Sequence, residues 1–284
     1  MGDRFRFMPK NSLKFFISQI KKNGYIKIDN LISKKLCKKL VILLEDDYSK
    51  YSKNYARPGK IKKNHLADKS KEKVVFNLHN KNLIWFKLFG HPLIINILDI
   101  LLKKGSYNNN EPYYLNNISA RTPLYGCPPQ QLHIDGGLPG TNYALKINVL
   151  WCLEDFNSHT GFTRVVPRSH KIKLFPKNNY NYKSEKNLYA KAGSVIIFDA
   201  SLWHGGSTSF SKSSRWGLIL GYARWWIKPS FDFMFNTPKK IYNRLSVFQK
   251  RLLGFDSVPP KDEFTRTRRR SDKCEKPFNY KLPF

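Results

Sequence analysis

Beyond residue 110 the chain stops reading as helix. From 111 to about 230 it is a succession of short apolar or alternating runs: "NNISARTPLYG", "QQLHIDGG", "YALKINVLWCLED", "GFTRVVPRSH", "GSVIIFDASLWHGGS" and "RWGLILGYARWW". Each is closed off by a cluster of Gly, Pro, Asn or Ser. Runs of this length suit strands, and turns at this spacing fold successive strands back beside one another. Several such strands in sequence make a sandwich or a barrel. The expected fold is therefore mainly β over this stretch.

The first 110 residues have a different texture. In "NSLKFFISQIKKNGYIKIDNLISKKLCKKLVILLED" the pattern predicts a helix, a short strand at "GYIKID" and a second helix. Leu13, Phe16, Ile17 and Ile20 fall on one helical face, and Asn11 and Ser12 are the expected caps. Residues 49–73 are polar and basic around Pro58 and Gly59, which reads as a surface loop, and a third helix is expected over about 80–104. From Pro238 the chain is basic, with a short helix expected around "RLSVFQKRLLGF" and an "RTRRR" run at 266–270. The organisation is thus a helical region (1–110) packing on a β core (111–230), then a basic extension (231–284). At 284 residues all three fit one structural domain.

Composition excludes several classes. No run of about 18 apolar residues is present; the richest stretch, "LIINILDILLKK", is interrupted by Asn96 and Asp99 at helical spacing. No apolar signal region opens the chain, so a cytoplasmic location is expected. The cysteines, Cys37, Cys127, Cys152 and Cys274, form no CxxC pair, which argues against a zinc ribbon and a disulfide framework. The balance of 51 Lys+Arg against 20 Asp+Glu gives a formal charge of +31. Such a field favours an anionic partner: a phosphorylated or thioester-bearing small molecule, nucleic acid, or an anionic lipid surface.

Chemistry concentrates at "QLHIDGG". If "QLHID" is extended, His133 and Asp135 project to one face and Ile134 to the other. Later, "SVIIFDASLWHGG" carries a buried-strand signature up to His204, and Arg215 follows at the head of "RWGLILGY". Arg215, Gly217 and Ile219 share a face of that strand. If it is the inner face, the guanidinium needs an anion, because an unpaired buried charge is heavily penalised. Two histidines and one carboxylate form the facial triad that binds iron and leaves positions open for a chelating cosubstrate and dioxygen. An arginine beyond the distal histidine suits a bidentate pair with a carboxylate.

The HxD pair, the distal histidine and the arginine eleven residues on resemble the phytanoyl-CoA dioxygenase family of Fe(II)/2-oxoglutarate oxygenases. The likeness extends to "VLWCLEDFNSHTGFTRVVPRSHK" and to the helix–strand–helix "FISQIKKNGYIKIDNLISKKLCKKL", covering most of residues 12–228. It implies a double-stranded β-helix (jelly roll, cupin-like) core. It also implies that His133, Asp135 and His204 bind Fe(II), that Arg215 holds the C5 carboxylate of 2-oxoglutarate, and that Trp151 lines the cosubstrate pocket. With dioxygen as second cosubstrate, the products would be succinate, CO2 and a hydroxylated small molecule. Related halogenases lack the carboxylate ligand, so Asp135 favours hydroxylation. Two positions depart from the family pattern. Arg168 replaces the glycine of a "PGSH" turn, and Gly206 stands where some members have a cosubstrate-binding serine, leaving Ser207 or Thr208 as substitutes.

Two other readings compete. Oxidative demethylation of a nucleic-acid base would suit the charge, but a second arginine is expected six residues after the first, and Gly221 stands there. A basic binding module without catalysis would suit the charge equally and leaves the four site residues unexplained.

Overall fold

The computed structural model describes residues 10–55, 71–103 and 113–257. Most of the 49–73 loop and the "RTRRR" run lie outside them. Helix α1 (Lys10–Asn23) leads through Gly24 into strand β1 (Tyr25–Ile28), and α2 (Lys34–Tyr55) follows. The helix already includes Asn11 and Ser12, which therefore lie in its first turn and do not cap it. The long helix expected over 80–104 is broken: a 3-10 turn at Leu83–Trp85 and the short helix α3 (Phe86–Phe89) stop at Gly90, and α4 (Pro92–Leu102) starts afresh. Pro92 is the physical reason, since it lacks an N–H and suits the first turn of a helix but not its middle. No single described helix is long and apolar enough to cross a membrane.

The remaining strands are β2 (Glu72–Phe76), β3 (Tyr113–Pro123), β4 (Lys146–Cys152), β5 (Thr163–Val165), β6 (Lys186–Leu188), β7 (Val195–Asp199), β8 (His204–Gly206) and β9 (Gly217–Arg224). A six-stranded antiparallel sheet runs β1-β7-β4-β9-β3-β2, and a smaller one runs β6-β5-β8. Strands β1 and β2 form the two edges of the large sheet, so the N-terminal segment builds sheet as well as helices. The tail carries α5 (Lys239–Tyr242) and α6 (Val247–Leu252), the latter opened by a capping box between Ser246 and Gln249.

Side-chain alternation sorts the large sheet into two faces. Ile147, Val149 and Trp151 of β4, Val195 and Ile197 of β7, and Leu218, Leu220 and Tyr222 of β9 pack outward against the helices in one large core. Leu150, Cys152, Ile196 and Phe198 point inward and meet Val165 and Leu188 of the small sheet. Two sheets closed over an inner apolar layer, with helices laid against the larger one, make a jelly roll. Its interior is apolar toward one end. Toward the other it opens into a cleft of about 700 Å³.

Candidate active site

The segment holding His133 and Asp135 is not a regular strand. It meets the small sheet through one bridge, in which His133 and His204 exchange both main-chain hydrogen bonds at 2.9 and 3.0 Å. Two further bonds, from the N–H groups of Asp135 and Gly136 to the carbonyl of Ala200, fasten the next residues. The alternation inferred from an extended chain still holds, because Leu132 and Ile134 turn away to pack with Val166 and Trp203. The pairing leaves little room for a side chain at 205: a Cβ on Gly205 would lie 3.1 Å from the Gln130 carbonyl.

The result is a tight constellation. One ligand atom from each of His133, Asp135 and His204 lies within 4.8 Å of the others. The Asp135 carboxylate stands 3.7 Å from His133 Nε2 and 3.4 Å from His204 Nε2. Each histidine makes a contact of 2.9 Å from its Nδ1, to the carbonyl of Gln131 and of Leu202 respectively. A carbonyl only accepts, so both Nδ1 atoms carry a proton and both Nε2 atoms are turned toward the carboxylate, which is how a ligating histidine is oriented. Asn148 donates to Asp135 Oδ2 at 2.6 Å.

Electrostatics keep the carboxylate charged. Burial works to raise the Asp135 carboxyl, but His204, Lys146 and His133 outweigh it and hold the group below the usual carboxylate range. His204 responds in the opposite sense: burial disfavours its cation, and Asp135 more than compensates, so its affinity for a proton rises. His133 is lowered by burial and by the charge of His204. An ionised oxygen donor and two imidazoles with Nε2 turned toward it form the donor set that a divalent transition metal takes.

Arg215 opens onto the same cleft, together with Gly217 and Ile219 on the face expected of them. Its guanidinium lies over the Phe156 ring, 3.9 Å from the centroid, and its Nε is buried with no hydrogen-bond partner. Burial pushes its pKa down to about 10. A buried cation with an unpartnered Nε on the wall of a cleft fits a carboxylate-bearing ligand.

Trp151 does not join this site. It has the opposite parity on β4 from Asn148 and Leu150, so it faces outward, fully buried among the helices and tilted against the His91 ring at 5.4 Å. Leu150 is the residue of that strand that lines the cleft beside Phe156 and Ile219. Of the two hydroxyls considered near Gly206, Ser207 lines the cleft; its Oγ accepts from Phe162 N at 2.8 Å and donates to the Thr208 carbonyl at 3.2 Å. Arg168 adopts the left-handed conformation, φ 69°, which accounts for the glycine usual in such a turn.

Two residues escaped sequence reasoning. Asn148 could have been found by parity, as a polar residue in an apolar strand whose neighbours Ile147 and Val149 face outward. Lys146, two residues earlier on the inner face, also lines the cleft and lies 3.5 Å from the Asp135 carbonyl. Its stem crosses Gly221 on β9, where a Cβ would stand 2.5 Å from Lys146 Cε. Gly221, the position at which a nucleobase demethylase would need its second arginine, is what makes room for this lysine.

An antiparallel jelly roll with a 2-His-1-carboxylate cluster and a buried arginine in one cleft defines the class of Fe(II)/2-oxoglutarate-dependent oxygenases. The family model described as phytanoyl-CoA dioxygenase matches residues 20–217, and the chain belongs to that family. Among curated relatives, dioxygenase trt7 of Aspergillus terreus is 24% identical over 267 residues, covering 89% of this chain and 87% of the fungal one. An uncharacterized protein of Mycobacterium tuberculosis is 28% identical over 94 residues, 33% of this chain; the chain spans about a third (34%) of that relative's length. Among solved structures, the 2-oxoglutarate-dependent epimerase SnoN from nogalamycin biosynthesis superposes with a TM-score of 0.59 at 13% identity, covering 81% of this chain and 89% of its own. HygX from Streptomyces hygroscopicus, solved with nickel, 2-oxoglutarate and hygromycin B, gives 0.54 at 13% identity over 79% and 88%. These two likenesses bear on the fold.

Proposed function

We propose that the chain is an Fe(II)- and 2-oxoglutarate-dependent dioxygenase that hydroxylates a small or lipid-like anionic metabolite. The carrying observation is that His133, Asp135, His204 and Arg215, drawn from three separate stretches of the chain, line one cleft. His133 Nε2, His204 Nε2 and the Asp135 carboxylate would hold iron. Arg215 would pair with the far carboxylate of 2-oxoglutarate, against the apolar wall of Leu150, Phe156 and Ile219. Bound there, iron and cosubstrate supply the means to activate dioxygen against a C–H bond, with succinate and CO2 as co-products. The protein's own share is orientation: the Gln131 and Leu202 carbonyls fix the imidazoles, Asn148 fixes the carboxylate, and apolar side chains keep bulk water from the cosubstrate side.

Charge balance supports the anionic substrate. The charged side chains of the cleft are Lys71, Arg121, Lys146 and Arg215 against Glu72 and Asp135. Fe(II) and 2-oxoglutarate carry equal and opposite charge, so their joint arrival leaves the positive excess in place. Arg121 is taken by Glu72 at 2.6 Å. Lys146 makes no such close pair among the described residues: its ammonium bonds to the Asp135 main-chain carbonyl and feels that residue's carboxylate at longer range. By register, Lys146 opposes Ala223 and Cys152 opposes Gly217, which places Lys146 and Arg215 toward opposite ends of one interior wall. Six strand positions separate Ala223 from Gly217, roughly 20 Å along the chain at ~3.3 Å per residue. One short diacid would not pair closely with both cations, so on this reading an anionic group of the substrate would meet Lys146 beside Asp135.

The test is succinate formation from 2-oxoglutarate under air with Fe(II), followed by a screen for anionic metabolites that stimulate it. Iron-dependent succinate, lost in His133→Ala and Arg215→Ala, is expected, as is stimulation that disappears in Lys146→Met. A wild-type protein that makes no succinate and binds no 2-oxoglutarate anaerobically in the presence of Fe(II) would overturn the proposal.

A further inference from the structure

The segment after the small-sheet strand β5 inverts the usual arrangement of a surface loop. In "HKIKLFPKNNY", residues 170–180, Leu174 is 68% exposed and Phe175 59%, with Ile172 beside them. Leu138, from the turn that follows Asp135, is 58% exposed, and its loop lies on this segment: a Cβ on Gly140 would touch the Ile172 backbone at 2.6 Å. The polar groups of the segment are satisfied on its inner side. Trp203 Nε1 donates to the Leu174 carbonyl at 3.2 Å, the Lys177 N–H donates to the Tyr182 hydroxyl at 2.9 Å, and Asn179 and Gln131 exchange two hydrogen bonds at 2.9 Å. The loop is thus held from behind while its aliphatic tip faces solvent.

Along the chain, the segment that carries most of that tip has one sign of charge. No Asp or Glu occurs between Asp155 and Glu185, whereas Arg164, Arg168, Lys171, Lys173, Lys177 and Lys183 fall in that interval. Glu185 itself is paired with Arg164. Exposed Lys21 and Lys22 at the end of α1 join the same side, since His170 Nε2 donates to the Lys21 carbonyl at 3.3 Å. An apolar tip rimmed by cations matches an anionic lipid surface, which accepts the side chains among its acyl chains and the ammonium groups among its headgroups. A nucleic acid would use the charge and could stack on Phe175, but it would leave Ile172, Leu174 and Leu138, which offer no π face, exposed to water.

We infer that Ile172, Leu174, Phe175 and Leu138, with Lys171, Lys173 and Lys177 around them, form a docking surface for an anionic bilayer. Through the Gln131–Asn179 pair the surface adjoins the mouth of the cleft, which Gln131 lines. Docking there sets the cleft entrance against the lipid. The inference does not depend on the catalytic reading and can fail without it.

Sedimentation of the full-length chain with vesicles of phosphatidylcholine alone, or of phosphatidylcholine mixed with phosphatidylserine, tests the idea. Binding is expected only with the mixed vesicles, with a fraction that persists at salt concentrations that screen surface charge. The paired variant Leu174→Asn and Phe175→Asn keeps every charge and removes the apolar tip, so its partitioning should fall at least about tenfold, since each such side chain buried is worth that factor or more. Its melting curve should match wild type, because both side chains are exposed. Wild-type partitioning by the paired variant would overturn the inference and leave only nonspecific attraction of a +31 chain. So would displacement from the vesicles by a polyuridine competitor whose own binding drops by the same factor in the variant.

Discussion

Asn148 Nδ2 donates to Asp135 Oδ2 at 2.6 Å, and this bond fixes the one acidic member of the ligand cluster from the opposite sheet. Without it the carboxylate would be held only by the two imidazoles and could turn toward Lys146. Asn148→Leu keeps the side-chain volume and removes the donor. Fe(II) affinity should then fall about 10- to 100-fold, the usual effect of deleting a group that orients a metal ligand. Competition with a chelating dye measures it. The metal-free protein should barely change its melting temperature, because the substitution also deletes Asn148 Oδ1, which is buried without a partner.

Arg215 sets stability against function. Its guanidinium is buried over Phe156, its Nε lacks a hydrogen bond, and its pKa is driven down to about 10 by burial. An aliphatic replacement removes that penalty. Arg215→Met is expected to raise the stability of the ligand-free protein by about 1–2 kcal/mol in urea unfolding. The same variant should lose the stabilisation that 2-oxoglutarate confers on the Fe(II) protein. A destabilised variant that still responded to 2-oxoglutarate would place the cosubstrate carboxylate elsewhere.

What the sequence made legible follows from which signals are local. His133 and Asp135 were readable because two residues one apart on extended chain share a face, and that rule survives even where the segment forms a single bridge rather than a strand. Arg215 was readable because an arginine heading an apolar strand demands an anion. Lys146 was not, since its significance depends on Gly221 on the neighbouring strand and on its approach to Asp135, both products of tertiary pairing. Strand β6 was missed because it is short and mostly polar, and β2 because its three apolar residues, Val74 to Phe76, are too short a run to show a period without the partner strand beside it. The break at Gly90 and Pro92 was legible in principle: a proline behind a glycine stops a helix, whatever the apolar period on either side.

Trp151 was misplaced by resemblance where parity would have placed it correctly. It faces the helices, and its indole N–H is buried without a partner. Trp151→Phe should therefore leave the affinity for 2-oxoglutarate unchanged, measured by anaerobic titration of the Fe(II) protein. Stability should drop by about 1–2 kcal/mol. The loss of packed volume costs more than that in a typical core, and removal of the unsatisfied N–H returns part of it.

Asp199 ends β7 and is held in a protein environment that favours its neutral form. Burial raises its carboxyl to about 6, with the hydrogen bond from Ser201 N at 2.8 Å opposing the rise. The sign of the pH dependence follows. Between the unfolded value near 4 and the folded value near 6 the native state binds more protons, so this group's contribution becomes less favourable as pH rises through that window, and the full penalty is present above it. Asp199→Asn keeps an oxygen to accept the Ser201 N–H and removes the ionisation. The variant should be more stable than wild type at neutral pH by about 1–2 kcal/mol, and the difference should vanish toward pH 4. Urea midpoints across that range check both halves: a constant gain would mean packing rather than ionisation, and no gain at neutral pH would mean that the carboxylate is solvated in the native state.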